Sequence, residues 1–87
     1  MTEAYALTLP PVDSWRLLGS TPENEPVEVI VRAFDLPVLF AVGKSPSRPD
    51  GEPATVAPGE GVRLTGLHFF AKPARAGEPC RILVRGL

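Results

Sequence analysis

The side chains able to do chemistry are few and scattered. His68 is the single histidine, Cys80 the single cysteine, and serine stands at positions 14, 20, 45 and 47. A catalytic His68 needs a carboxylate to orient it and a nucleophile within reach. The serines sit in turn-like contexts, and no nucleophile-elbow motif surrounds them. His68 therefore reads as a solvent-facing strand residue. Asp13, Asp35 and Asp50 fall at turns, where Asp bonds its own backbone, and Glu23, Glu25 and Glu28 read as a solvated acidic edge. A glycosidase-type acid pair also needs a cleft, which a chain this short rarely builds. Gly59-Glu60-Gly61 has no following Lys-Ser/Thr and no helix, so it is not a phosphate loop. One Cys and one His do not make a structural zinc site. The expectation is a non-enzymatic protein with no cofactor, no metal and no small-molecule substrate.

Two binding chemistries remain. Phe69 and Phe70, with Lys72, Arg75, Arg81 and Arg85, suggest bases stacked on aromatics and phosphates held by cations. Against this, Phe69 reads equally as core and Phe70 as an edge or interface residue. The net charge of −1 lacks the basic excess of a dedicated nucleic-acid binder. Charge is segregated along the chain. Residues 1–31 carry Glu3, Asp13, Glu23, Glu25 and Glu28 against Arg16, whereas residues 62–87 carry Arg63, Lys72, Arg75, Arg81 and Arg85 against Glu78. Ends of opposite sign suit paired terminal strands or contacts between subunits, and solvated strand faces are the plainer alternative. Tyr5 and Trp15 are amphipathic aromatics of the kind that anchor interfaces, with a core Trp as the competing reading.

The elements that must position these residues are short strands. Eleven prolines and eight glycines, spaced at roughly 8–12 residues, leave no room for a long helix. Tyr5, Leu7 and Leu9 alternate with smaller residues until Pro10-Pro11 stops the ladder. Trp15–Leu18 forms a second strand ending at Gly19. Val27, Val29, Val31 and Ala33 alternate with Glu28, Ile30, Arg32 and Phe34, which puts the odd positions on the core. Asp35-Leu36-Pro37 then leads to Val38–Val42, predicted to pair with the preceding strand as a hairpin. This second run is apolar at every position, so it needs cover on both faces, and another subunit is one source of the second cover. A long Pro/Gly loop over 44–61 follows, with turns at Pro49-Asp50-Gly51 and Pro58-Gly59. Val62 and Leu64 face one way, and Leu67, Phe69 and Ala71 take the opposite phase, as a bulge or bend at Gly66 would produce. Cys80, Ile82 and Val84 alternate with Arg81, Leu83 and Arg85 as the last strand. The reading is one all-β domain over 1–87, a small antiparallel β-sandwich or jelly-roll-like fold of about seven short strands.

At 87 residues such a domain buries only about 60–65% of its unfolded surface. With no intrachain disulfide or metal to staple it, homo-oligomerisation is the expected source of further stability. No apolar run is long enough for a transmembrane helix, and Met-Thr-Glu-Ala-Tyr lacks the features of a signal peptide. Synthesis in a cytoplasm with Cys80 reduced is expected.

Several segments carry a resemblance in their order: Pro37-Val38-Leu39-Phe40-Ala41-Val42-Gly43, then Pro58-Gly59-Glu60, Val62-Arg63-Leu64-Thr65-Gly66, Leu67-His68-Phe69-Phe70-Ala71 and the closing Cys80–Arg85 strand. In this the chain resembles small β-sandwich virion structural proteins of tailed bacteriophages. Met1–Asn24 does not match that pattern. The resemblance implies a non-enzymatic accessory subunit of the virion, of the capsid-decoration, head-fibre or tail type. It would be a homo-oligomer docked on larger capsid or tail proteins, with no membrane partner. Its contacts are expected from Tyr5, Trp15, Phe40 and Phe70, from Arg48 and Asp50 in the long loop, and from residues 1–26 as an attachment segment. The alternatives are a carbohydrate- or receptor-binding sandwich using Arg48 and Asp50, and thirdly an oligonucleotide-binding β-barrel.

Overall fold

The computed structural model describes residues 4–21, 25–75 and 77–86, excluding the side chain of Tyr5. Among them are eight strands: β1 (Tyr5–Leu9), β2 (Arg16–Ser20), β3 (Val27–Ala33), β4 (Val38–Gly43), β5 (Ala54–Val56), β6 (Gly61–Gly66), β7 (His68–Pro73) and β8 (Cys80–Arg85). They form two antiparallel four-stranded sheets, β1-β8-β3-β6 (sheet I) and β2-β7-β4-β5 (sheet II). The pairings are nested. β4 pairs with β5, β3 with β6, β2 with β7 and β1 with β8. The chain is thus one long antiparallel hairpin, folded so that successive pairs fall alternately in the two sheets. Pairing of β3 with β8 and of β4 with β7 completes them. This is the eight-stranded double-sheet order of a jelly roll.

The alternation anticipated for β3 holds: Val29, Val31 and Ala33 are buried, and Glu28, Ile30 and Arg32 are exposed. From sheet I, Leu9, Cys80, Ile82 and Val84 join them. Val38, Phe40, Val56, Phe69 and Ala71 come from sheet II. Among the described residues no polar or charged residue is fully buried, so the core is held by apolar burial. The turn at Ala57-Pro58-Gly59-Glu60 also forms as expected. Gly59 takes φ +82°, and the Glu60 N–H donates to the Ala57 carbonyl at 3.0 Å. Pro before a left-handed Gly is the preference of a type II turn.

Two expectations are corrected and one is narrowed. β3 and β4 do not form a hairpin, because each end of Phe34–Pro37 continues a different ladder. The Phe34 N–H donates to the Arg81 carbonyl at 3.2 Å, and the Pro37 carbonyl accepts from the Ala74 N–H at 3.2 Å. Of the bulge or bend expected at Gly66, the structure has the bend, the step at Leu67 from β6 in sheet I to β7 in sheet II. A Cβ there would lie 3.0 Å from Val42 Cβ, so any larger residue would have to push the Val42 side chain aside. The register shift that does occur lies in β2, between Leu17 and Gly19. The segment 44–61 is not wholly a loop: it holds a short strand, β5, which brings the described strands to eight against the about seven expected. Residues 5–20 form the two strands expected there, β1 and β2, each at an edge of its sheet.

Candidate functional site

β4 fills both of its faces. Val38 and Phe40 point into the core, and the register sets Leu39 opposite Lys72 and Ala41 opposite Phe70 on the outer face of sheet II. Ala41 is 1% and Phe70 2% exposed. Cover for this apolar strand comes partly from the same chain. A Cβ added at Gly43 would stand 2.6 Å from the Arg48 carbonyl oxygen, 3.0 Å from Pro49 Cα and 3.1 Å from Phe70 Cε2. The hairpin tip therefore lies against the sheet beside the Phe70 ring. Its hydrogen bonds hold it there. The Asp50 and Gly51 N–H groups both donate to the Val42 carbonyl at 3.2 and 3.1 Å, and the Lys44 N–H donates to Asp50 Oδ2 at 3.3 Å. Ser45 and Arg48 pair as an antiparallel bridge, with Ser45 Oγ 2.7 Å from Ser47 Oγ.

Beside it, this outer face carries partly open apolar side chains next to the polar Thr55, His68, Ser20 and Lys72. Leu17, opposite Phe70, is 40% exposed. Trp15 and Leu39 are half-buried. Lys72 closes one end, with Nζ 4.8 Å from the Trp15 ring centroid and 3.0 Å from Asp13 Oδ1. Of the residues expected at an interface, Trp15, Arg48 and Asp50 border this face. Phe40 and Phe70 are instead buried in the chain at 0% and 2% exposure, because the two sheets enclose one ring and the tip covers the other. Tyr5 lies on β1 in the other sheet, and its side chain is outside the described residues. Burial of Phe69 and Phe70 also removes the base-stacking platform on which the oligonucleotide reading rested.

Sequence reasoning missed two juxtapositions. Ser20 Oγ lies 2.6 Å from His68 Nδ1, across the β2–β7 ladder. A working triad sets one ring nitrogen on the serine and a carboxylate on the other. Among the described residues no carboxylate bonds His68, and the pair stands on an open sheet face, so its physical effect is to lock β2 to β7 beside the bulge. On the outer face of sheet I, four exposed arginines from three strands come together. Ile30 stands between Arg63 of β6 and Arg85 of β8, and Arg32 stands beside Leu83, two residues from Arg81. Strand alternation gives the direction of each guanidinium, but only the order β8-β3-β6 makes them neighbours.

Among the described residues, no group of acidic, His and Cys side chains has the arrangement to hold a metal ion. An open depression of about 380 Å³ at one end of the sandwich is lined by Leu36, Pro37, Arg75, Gly77, Glu78 and Cys80. Its one thiol is unsuited to nucleophilic work. Burial first, and then the charges of Asp35 and Glu78, push the Cys80 pKa up, and the thiolate is the reactive form. Comparison with protein-family models, with curated proteins and with solved structures returns no match.

Proposed function

We propose that this chain is a non-enzymatic assembly subunit that self-associates through the outer face of sheet II. We further propose that it serves as an accessory subunit on the capsid or tail of a tailed phage. One observation carries the first part. A solvated sandwich face alternates apolar-in with polar-out, yet the outward positions of β2, β7 and β4 include Leu17, Phe70, Leu39 and Ala41. Leu17, Trp15 and Leu39 leave an apolar strip beside the covered Phe70. Such strips mark association surfaces. The virion reading is supported by the motif order described above. Jelly rolls also recur in viral capsid and lectin domains, which is a fold-level analogy.

Sedimentation velocity at about 10 μM, a concentration at which such an interface holds, tests the first part. The wild type is expected as a dimer or larger species. Leu17→Glu should give a monomer with unchanged far-UV dichroism, whereas a wild-type monomer would sink the reading. For the virion part, peptide mass spectrometry of purified particles should find the chain in stoichiometric amount. Its absence from particles made by cells expressing the gene counts against that part alone.

A further inference from the structure

The outer face of sheet I differs in chemistry from that of sheet II. Arg32, Arg63, Arg81 and Arg85 are all exposed on it. Arg63 and Arg85 flank Ile30 at two strand spacings, roughly 10 Å, and Arg81 and Arg85 are four residues apart on β8, roughly 13 Å. At the centre Ile30 is 38% exposed, and Phe34 is 41% exposed with the Arg81 guanidinium 5.5 Å from its ring centroid. Among the described residues no carboxylate pairs with any of these arginines, and the nearest internal bond is a long one of 3.4 Å from Arg32 Nη2 to the Gly59 carbonyl. Glu28 is the one acidic residue in the outward register of β3. In a chain of net charge −1 this is a concentrated local excess of positive charge.

We infer that this face docks a protein surface that is acidic and partly apolar. Charge complementarity calls for carboxylates opposite the four guanidinium groups, which bind them in bidentate geometry. Ile30 and Phe34 call for apolar side chains between those carboxylates. Arginine with aromatic and aliphatic residues is the composition of a protein interface. A nucleic-acid face would need a row of stacking aromatics or a basic domain, whereas Phe34 is the one exposed aromatic among the described residues, its ring already carries the Arg81 guanidinium, and the chain's net charge is −1. The assignment is independent of self-association, which uses the other sheet.

Three fluorescently labelled probes of equal length test it on the full chain. They are a peptide alternating Glu with Leu or Phe, an all-Glu peptide and an oligo-dT, compared by anisotropy. The mixed peptide should bind most tightly and weaken about tenfold or more in Arg63→Glu/Arg85→Glu. Arg63→Gln/Arg85→Gln should show an intermediate loss, which guards against a folding artefact in the charge reversal. Raising salt from about 50 to about 500 mM should weaken binding. Ile30→Ser should lower affinity for the mixed peptide and not for the all-Glu peptide. Tighter binding of oligo-dT, equal binding of both peptides, or binding untouched by the arginine substitutions would overturn the inference. So would dissociation of the oligomer in Arg63→Glu/Arg85→Glu, which would make the face a contact between copies.

Discussion

Gly43 ends β4 where the chain leaves the sheet for its tip, and the seating of that tip can be tested there. Gly43→Ala adds a methyl group to occupied space, 2.6 Å from the Arg48 carbonyl oxygen and 3.0 Å from Pro49 Cα. Both are backbone atoms, which cannot swing aside as a side-chain end does. Unstrained carbon contacts lie at about 3.5–4.0 Å, so the Arg48–Pro49 backbone has to withdraw by about 0.5–1 Å. Overpacking of this kind costs about 1–3 kcal/mol. At about 0.05–0.15 kcal/mol per residue, the whole domain has about 4–13 kcal/mol. Each kcal/mol moves the midpoint of a domain this size by about 4–8 °C, so a fall of roughly 5–20 °C is expected by far-UV dichroism. Withdrawal also loosens the Asp50 and Gly51 hydrogen bonds to the Val42 carbonyl. Trypsin should then cut faster after the exposed Lys44. Gly59→Ala is the control. Nothing lies within 4 Å of a Cβ there, and the φ of +82° costs about 1 kcal/mol from the left-handed backbone alone. It should leave cleavage after Lys44 unchanged. If Gly43→Ala melts at the wild-type midpoint and is cut no faster, the tip does not sit on the sheet and the account of Phe70 burial fails.

Phe40→Ala and Phe70→Ala remove rings at 0% and 2% exposure, and each should lower stability by about 3–5 kcal/mol in urea unfolding. A cost under about 1 kcal/mol for Phe70→Ala, with altered sedimentation, would return that ring to an interface role. Cys80 should resist iodoacetamide in the folded protein and react once unfolded, because burial leaves it 1% exposed and raises its pKa. A raised thiol pKa means that the folded state holds its proton longer than the unfolded one. This contribution to stability is therefore complete below the ordinary thiol value and is lost as pH rises through the raised one. Cys80→Ala should flatten that alkaline fall, and an unchanged slope would show that other groups cause it.

The local rules were legible where one strand face was buried and the other wet. Val29, Val31 and Ala33 show it, as does the Pro58-Gly59 turn. Pairing was not legible. A hairpin of β3 with β4 satisfies the same alternation as the observed arch, and only tertiary contacts at Phe34 and Pro37 separate the two. β5 was hidden because Ala54-Thr55-Val56 is three residues between prolines, too short for a period to register. Phe70 was misread for a related reason. Alternation allows one inward ring in Phe69-Phe70, and the second is buried by a tip more than twenty residues earlier in the chain. The arginine face and the Ser20–His68 contact share this cause, since both are products of strand order.

The nested pairing also separates the two outer faces by what each can meet. A two-fold contact sets a patch against itself. On sheet I that would place Arg63 and Arg85 of one copy against the same guanidinium groups of the other, and like charges facing each other are unfavourable. On sheet II the same operation sets Leu17, Leu39 and Trp15 against apolar side chains, while the cation beside them, Lys72, carries its own carboxylate in Asp13. Symmetry and charge thus point the same way. Under the proposed self-association, the contact with a second copy falls to sheet II, and the arginine face of sheet I is left for a partner of opposite sign.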